Sequence, residues 1–535
     1  MSKGNSARKQ GKAGTTIANK PGSPVMLSEE DHIPHHPLAK GVVGNIVMDV
    51  VFQKRILTQI LNIEKGMSED IVAQLDPIFK PRSIAVIGAS KQTGKWGNMV
   101  LKGMLSSKYR GSIYPVNPKE TEIQGFKTYA DVTDIPESVD LAVFTIPAVH
   151  MPSAMKSCIK KGIRAGIVIS ADFAETGANG EALQEETVSI ARKGGFRFVG
   201  PNCNGIWTSA VGGLSVSPMP RPRPGSLAFI SQSGMFGGTA IRASWTQGFG
   251  LSKFISIGNQ ADLTVADYLL YLAEDDDTEV IALYVEGFKD ARRFLEVASE
   301  VSRKKPILLL KGGSSPVGAR AARSHTASIA GEDRIVDAVC KQAGIIRVDQ
   351  IEHLMIMAEA LIKQPLPKGD RVAVVGNGGQ GVPCADNLAM CGLNVPEFQE
   401  GDKMALKEIL PPHAPTPNNP VDFAAGGFET EAEVRVLERL ASFDYIDGII
   451  TNIPTERNFS QPTLADQKIA LIKAMSDFCR IPEKYGKPIV TFRGNRGEQT
   501  VELMKSADIP VYNSSEECAL AMLALMKYAA IKDRA

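Results

Sequence analysis

The chain is poor in cysteine and pairs none of it. Its 7 cysteines stand singly at 158, 203, 340, 384, 391, 479 and 518, without the short spacings of a metal site. The odd count also argues against a disulfide framework, so a reducing cytoplasm is the expected compartment. Long hydrophobic runs are missing as well: none approaches the roughly 18 residues needed to span a bilayer, and no membrane role is expected. There is no excess of charge of one sign. A formal net charge of +1 removes nucleic acid and an anionic membrane as main partners. The first 28 residues hold no acid but only one arginine, and they are broken by Gly and Pro, which suits a disordered lead-in better than a transit peptide.

What is present is core material for several domains. Of the 535 residues 43% are hydrophobic and 22% charged, the balance of a soluble globular protein too long for one domain. Three buried-looking, β-branched runs each end in a small-residue loop: SIAVIGASKQTGKWGN from Ser83, SLAFISQSGMFGG from Ser226 and RVAVVGNGGQGVP from Arg371. Their apolar cores begin near 84, 227 and 372, spacings of 143 and 145 residues, each one domain long. Shorter strands follow in DLAVFTIP (140–147), AGIVIS (165–170), VIALYVEG (280–287), PILLLKGG (306–313), DGIITNIP (447–454) and PIVTFRG (488–494). Amphipathic stretches separate them, such as 290–304 and 332–344; in the latter Ile335, Val336 and Val339 are expected on one face and Gly344 as the stop. This alternation predicts doubly wound α/β domains, bounded as 76–213, 214–365 and 366–535 behind an extension at 1–75.

Ligands of such sheets bind beyond the carboxyl ends of the strands. The first loop, GASKQTGKWG (88–97), is neither a clean GxGxxG nor a P-loop, since Trp96 follows Lys95. A dinucleotide site would place an acid after the next strand; here Asn117-Pro118-Lys119 stands instead, which suits a phosphorylated ribose or pyrophosphate and so a phosphoadenosine ligand such as CoA. A tight turn beside a surface lysine is the plainer alternative. Gly88, Ser90, Lys119 and Pro147 close successive strands and are the candidate CoA contacts, with Asn202 of the GPNCNG turn (200–205). Cys203 in that turn has no histidine near it in sequence and is read as a small buried hydrophobe. The second loop, SQSGMFGG (231–238), sets hydroxyls and glycines at a helix start, an anion site formed by Ser231, Ser233 and Gly234. The third, GNGGQG (376–381), lacks the lysine that reaches terminal phosphates, though a nucleotide there is the alternative to one bound elsewhere.

Of the 7 histidines, only His325 has a catalytic setting. His32, His35 and His36 lie in the polar lead-in, His150 in a turn, His353 on a helix and His413 in a proline-rich loop. His325 follows the Gly/Ser/Arg-rich KGGSSPVGARAARSH (311–325) and precedes a helix whose first turn holds Glu332 and Asp333. Glu286, ending ALYVEG, is its candidate acidic partner: a carboxylate on one ring nitrogen fixes the tautomer and leaves the other as nucleophile.

These blocks carry a resemblance. FKPRSIAVIGAS (79–90), VNPK (116–119), VGPNCNG (199–205), FISQSGMFGG (229–238), the stretch 258–287, GARAARSHTASIAGED (318–333) and NPVDF (419–423), in this order, resemble the CoA-binding α component of the NDP-forming acyl-CoA synthetases, relatives of succinyl-CoA synthetase. The resemblance implies a Rossmann-like CoA-binding domain followed by two flavodoxin-like domains. It implies a ligase working through an acyl phosphate (acid + CoA + ATP ⇌ acyl-CoA + ADP + phosphate), with His325 transiently phosphorylated, Glu286 holding its ring and the loop Ser231–Gly234 cradling phosphate. It further implies a small carboxylic acid and its acyl-CoA as substrates. ATP/ADP with Mg²⁺ are expected on a separate ATP-grasp β subunit, in a hetero-oligomer, with no protein-bound metal on this chain. The alternative is a non-catalytic CoA-binding or regulatory protein of the same fold, against which the intact His325, Glu286 and Ser/Gly loop count. Two positions depart from the family pattern: Asp172 in SADFAE and Ala327 in HTAS stand where glycine is usual.

Overall fold

The computed structural model describes residues 70–320, 333–424, 430–452, 465–493 and 498–534. The lead-in to residue 69, His325 and Ala327 lie outside them. Each of the three runs singled out in the sequence founds a parallel sheet. The first contains β1 (Ser83–Ile87), β2 (Ser112–Val116), then, beyond a separate hairpin of β3 (Glu122–Ile123) and β4 (Phe126–Lys127), β5 (Leu141–Phe144), β6 (Ala165–Val168) and β7 (Arg197–Val199), in the order β2-β1-β5-β6-β7. The second comprises β8 (Ile206–Thr208), β9 (Ser215–Val216), β10 (Pro224–Ser231), β11 (Leu251–Ser256), β12 (Val280–Val285), β13 (Ile307–Lys311) and β14 (Ile346–Val348), ordered β14-β13-β12-β10-β11-β8-β9. The third holds β15 (Val372–Gly376), β16 (Val421–Asp422), β17 (Gly448–Asn452), β18 (Ile489–Phe492) and β19 (Val511–Tyr512), ordered β16-β15-β17-β18-β19.

Counted within each sheet, the five parallel strands stand 2-1-3-4-5 in all three. This doubly wound order buries the founding strand on both faces, which is why β1, β15 and the last five residues of β10 are wholly buried and read as unbroken apolar runs. In the hairpin β8–β9, β8 pairs antiparallel with β11 and β9 with β8, so sheet membership changes shortly after β7 and the expected boundary at 213/214 falls inside the hairpin.

The helices follow their caps. Ala291–Lys304 begins at Asp290, whose carboxylate accepts from Arg293 N at 2.9 Å, buries Phe294, Ala298 and Val301 at helical spacing, and ends in Arg303 and Lys304, which suit the negative end of the dipole. Asp333–Ala343 ends before Gly344, which takes the expected left-handed φ of +69°. Its buried face differs from the expected one. Val336, Cys340 and Ala343 are inside, while Ile335 is 56% exposed, because one residue of helix turns a side chain about 100° away from its neighbour.

The sheets share cores. Residues of β1, β6, β10, β12 and the helix 70–79 belong to one apolar cluster, and Arg197 of β7 pairs at 2.9 Å with the buried Asp262 that follows β11. The terminal helix Ser515–Asp533 sends Ala524 and Tyr528 into the cluster of Leu227 and Phe229, beneath the second sheet. Among the described residues no helix is long and apolar enough to cross a membrane.

Candidate active site at the carboxyl edges of the first two sheets

On the first sheet the edge is organised around Gly88. Its φ is +90°, its N–H donates to Val116 O at 3.0 Å, and a Cβ there would lie 2.8 Å from Ile146 Cγ2 and 2.9 Å from Thr145 Oγ1. Only glycine fits both the conformation and the space. The helix Trp96–Leu105 comes so close that a Cβ on Gly97 would collide with the Gly88 carbonyl. Two asparagines shape the turn: Asn98 Nδ2 donates to Ser90 O at 3.0 Å, and Asn117 Nδ2 to Ala89 O at 2.8 Å. Asn117 Oδ1 also accepts from Lys119 N at 2.8 Å, fixing the backbone from which the exposed Lys119 side chain extends. Gly88, Ser90, Lys119 and Pro147 thus stand on neighbouring strand ends around the β1/β5 switch point. Asn202 does not join them; it lies past β7, at the far end of the edge, and its Nδ2 donates to Asn259 Oδ1 at 3.3 Å.

On the second sheet the loop after β10 is tightly braced. The hydroxyl of the fully buried Ser231 donates to Ser233 O at 2.6 Å. Ser233 caps the helix Gly234–Gln247 by accepting from Phe236 N, which leaves the N–H groups of Gly234 and Met235 as the first-turn donors without an intrahelical acceptor. A Cβ on Gly234 would strike the Asn204 side chain, so backbone and amide are in close approach there. Gln232 connects this loop to Glu286. Its N–H donates to Tyr284 O at 2.9 Å, and its Oε1 accepts from Glu286 N at 2.8 Å and Gly287 N at 3.1 Å. Phe236 stacks on Tyr284 with ring centroids 3.9 Å apart. The Tyr284 hydroxyl is pushed up to about 12, first by burial and then by the Glu286 carboxylate, so it stays protonated and donates to Glu286 Oε1 at 3.4 Å. Lys311, closing β13, donates to the Glu286 carbonyl at 2.8 Å.

The structure therefore brings Ser231, Ser233, Gly234 and Glu286 to one edge, while His325 is outside the described residues. Sequence reasoning missed Gln232, Tyr284 and Lys311. A lysine ending an otherwise apolar buried strand, as in PILLLKGG, was the available signal. Cys203 is buried, its thiol pushed up to about 12 mainly by burial, and it donates to Val168 O at 3.3 Å: a packed residue, as read from sequence. Asp172 holds a left-handed φ of +73°, the conformation a glycine takes without strain, and Glu175 Oε1 braces it by accepting from Asp172 N at 2.8 Å. In the third loop Gly378 N donates to Asp422 Oδ1 at 2.7 Å and Asn452 Nδ2 to Gln380 Oε1 at 2.6 Å. A polar cavity of about 710 Å³ is lined by Arg192, Arg197, Asp262, Asp267 and Arg293 among others, and these three arginines pair with Asp262 and Asp267. No group of three or more His, Cys, Asp or Glu among the described residues is arranged to hold a metal.

The chain is a doubly wound α/β protein with glycine turns at the switch point of one sheet and a serine-capped helix start linked through Gln232 to a glutamate on the next. Residues 82–209 match the CoA binding domain family and residues 224–361 the succinyl-CoA ligase like flavodoxin domain. The acetate–CoA ligase [ADP-forming] II subunit alpha of Pyrococcus furiosus is 40% identical over 460 residues, 85% of this chain and 98% of that protein. The acetate–CoA ligase [ADP-forming] I of Archaeoglobus fulgidus is 36% identical over 85% of this chain but only 64% of its own length. A solved structure of the dinucleotide forming acetyl-coenzyme A synthetase 1 of Ca. Korarchaeum cryptofilum, in complex with phosphate and ADP, superposes with a TM-score of 0.76 at 32% identity, covering 86% of this chain and 97% of that one. The chain belongs to the family of ADP-forming acetate–CoA ligase α subunits. It is accordingly an acid–thiol ligase subunit, and the non-catalytic alternative falls away.

Proposed function

We propose that this chain binds CoA on its first sheet and carries phosphoryl on His325, joining a small carboxylic acid to CoA at the expense of ATP. The observation that supports the phosphoryl half best is the Gln232 bridge. It fixes the Glu286 backbone to the loop whose helix start offers unpaired N–H groups, so an acid and an anion cradle share one edge. In the condensing direction acyl phosphate forms from acid and phosphohistidine, and the CoA thiol displaces phosphate from it. In reverse, phosphate attacks the thioester carbonyl, the C–S bond breaks, and His325 then takes the phosphoryl group as the carboxylate leaves. Glu286 orients the imidazole and offsets the charge it acquires. First-turn N–H groups of the helix at Gly234 hold the phosphate oxygens.

The cradle at Gly88 fits CoA: a position where any side chain would clash lets a pyrophosphate approach the backbone, and exposed Lys119 stands ready for a phosphate. Asn202, which lies past β7 with its amide bonded to Asn259, is left out of the CoA contacts. The nucleotide and its Mg²⁺, which would screen the terminal phosphates, are assigned to an ATP-grasp β subunit. The α-subunit names of the relatives support such a partner, and no lysine stands in GNGGQG to reach a terminal phosphate.

The test needs this chain alone. Incubated with acetyl-CoA and radiolabelled inorganic phosphate, it should acquire acid-labile, base-stable label on His325, and His325→Asn should acquire none. Equal labelling of the His325→Asn chain would refute the assignment.

A further inference from the structure

Beside Glu286, on the outer strands of the second sheet, stands a cluster to which no role has been given. Arg347 lies in the middle of β14, in register with Leu309 of β13, and its side chain is only 16% exposed. Its guanidinium reaches two separate points of the chain. Nη2 donates to Asp333 Oδ1 at 2.6 Å and Nη1 to the Asp333 carbonyl at 3.2 Å, while Nη2 also donates to Ser314 Oγ at 3.3 Å. Ser314 Oγ in turn donates to Lys311 O at 3.0 Å. Ser314 comes three residues after β13, and Asp333 opens the helix Asp333–Ala343. Residues 315–332 connect the two, and His325 is among them.

The same grip extends down to Glu286. Lys311 is 6% exposed, and its ammonium donates to the carbonyls of Glu286 and Gly312. A Cβ on Gly312 would lie 2.8 Å from the Tyr284 hydroxyl and 3.1 Å from Glu286 Cγ, so the chain leaves β13 in contact with the carboxylate's own side chain. A planar guanidinium can hold a carboxylate, a carbonyl and a hydroxyl at once in fixed directions, which a lysine ammonium on a flexible stem cannot. The two ends of the connecting segment are thereby referred to one rigid strand, two residues from the level at which Lys311 meets Glu286.

We propose that Arg347 is a positioning residue for phosphoryl transfer: by holding Ser314 and Asp333 it fixes where the chain leaves β13 and where it enters the following helix, the two anchor points of the connection that carries His325. This rests on His325 being the phosphorylated residue. Arg347 touches no substrate in this scheme. Its removal acts on the rate of transfer and leaves CoA affinity alone, because the CoA cradle belongs to the first sheet.

The experiment uses the full chain with acetyl-CoA and radiolabelled phosphate, following the rate of label uptake, with CoA affinity by calorimetry and thermal melting alongside. Arg347→Met should slow labelling by about ten- to a hundred-fold, the scale of a misplacement near 1 Å, with CoA affinity unchanged. Arg347→Lys should recover part of the rate, since it keeps the charge opposite Asp333 and loses the fork. Asp333→Asn should slow labelling in the same direction, and combined with Arg347→Met it should add little. If Arg347→Met does not fold, Asp333→Asn and Ser314→Ala carry the test. Wild-type labelling rates in Arg347→Met or Asp333→Asn would overturn the proposal while leaving phosphohistidine standing, as would a parallel loss of CoA affinity. Undiminished labelling of His325→Asn would instead remove the phosphohistidine and this proposal together.

Discussion

Gln232→Leu should separate the two halves of the phosphoryl site while changing side-chain volume little. In the native chain one amide oxygen accepts from the N–H groups of both Glu286 and Gly287, at 2.8 and 3.1 Å, and Gln232 itself is only 6% exposed. Leucine offers no acceptor. Each buried N–H left without a partner costs about 1–3 kcal/mol, so rigid loss of both amounts to about 2–6 kcal/mol. The end of β12 has a cheaper escape, turning those groups toward water, and that motion would carry the Glu286 carboxylate with it. Stability should then fall at the low end of the range, about 5 °C in the apparent melting midpoint at ~2–4 °C per kcal/mol for a domain of this size. Turnover should fall by about ten- to a hundred-fold, as a displaced orienting group implies. Gln232→Glu is the control: it retains an acceptor and should melt closer to wild type, but it sets a second buried carboxylate beside Glu286 and should still be slow. The assays are calorimetric melting and the rate of label uptake from acetyl-CoA and phosphate. A Gln232→Leu chain that melts within a degree of wild type and labels at the wild-type rate would show that these bonds hold nothing of consequence.

Lys119→Ala should weaken CoA binding about tenfold, the value of one charge-assisted contact, and should weaken binding of CoA lacking its 3′-phosphate much less; equal calorimetric affinities of wild type and variant for CoA would remove Lys119 from the site. Asp267 is buried, and although burial alone would raise its pKa, bonds from Arg293 at 2.8 Å and from Thr264 N at 2.7 Å hold it below the ordinary 3.8. A depressed carboxylate stabilises the fold above its unfolded pKa and loses that contribution as the pH falls through the folded value. The stability gap between wild type and Asp267→Asn should therefore be full near pH 6 and close below about pH 4; a gap constant down to pH 3 in acid titrations followed by circular dichroism contradicts the assignment. Cys203, with its thiol near 12 and its sulfur bonded to Val168 O, should resist iodoacetamide at pH 8 and tolerate Cys203→Ala with activity retained; rapid alkylation that abolishes activity would restore it as a nucleophile.

Strand-founding runs, helix caps and glycine loops were legible because their causes are local. A β-branched run such as SIAVI, buried on both faces, reads the same in sequence and in structure, and the three such runs form the first parallel strand of each sheet. Gly88 was legible as a turn residue, and Gly344 as a helix stop, because φ preference acts within a few residues. Asp172 was marked only by comparison with the family; its left-handed φ of +73° supplies the reason glycine is usual there.

What lay beyond the sequence depends on partners distant along the chain. Gln232 looked like a loop residue until its oxygen met N–H groups 54 and 55 positions away. Lys311 looked like the end of a strand until its ammonium was found on the Glu286 carbonyl. Asn202, grouped by its turn with the CoA contacts, proved to face the second sheet through Asn259. Ile335 satisfied the helical period and still turned outward, since the period leaves the phase of the buried stripe open until a neighbouring surface selects it. The hairpin β8–β9 gave no period-2 signal across its three- and two-residue strands, and only the free edge of β11 decided that it would extend the second sheet. The sequence alone determined which chemistry this chain can host, because that chemistry resides in residue types and their local turns. Which of those groups stand at one edge, held at bonding distance, was decided only when the sheets packed, because that pairing is set by contacts no local window contains.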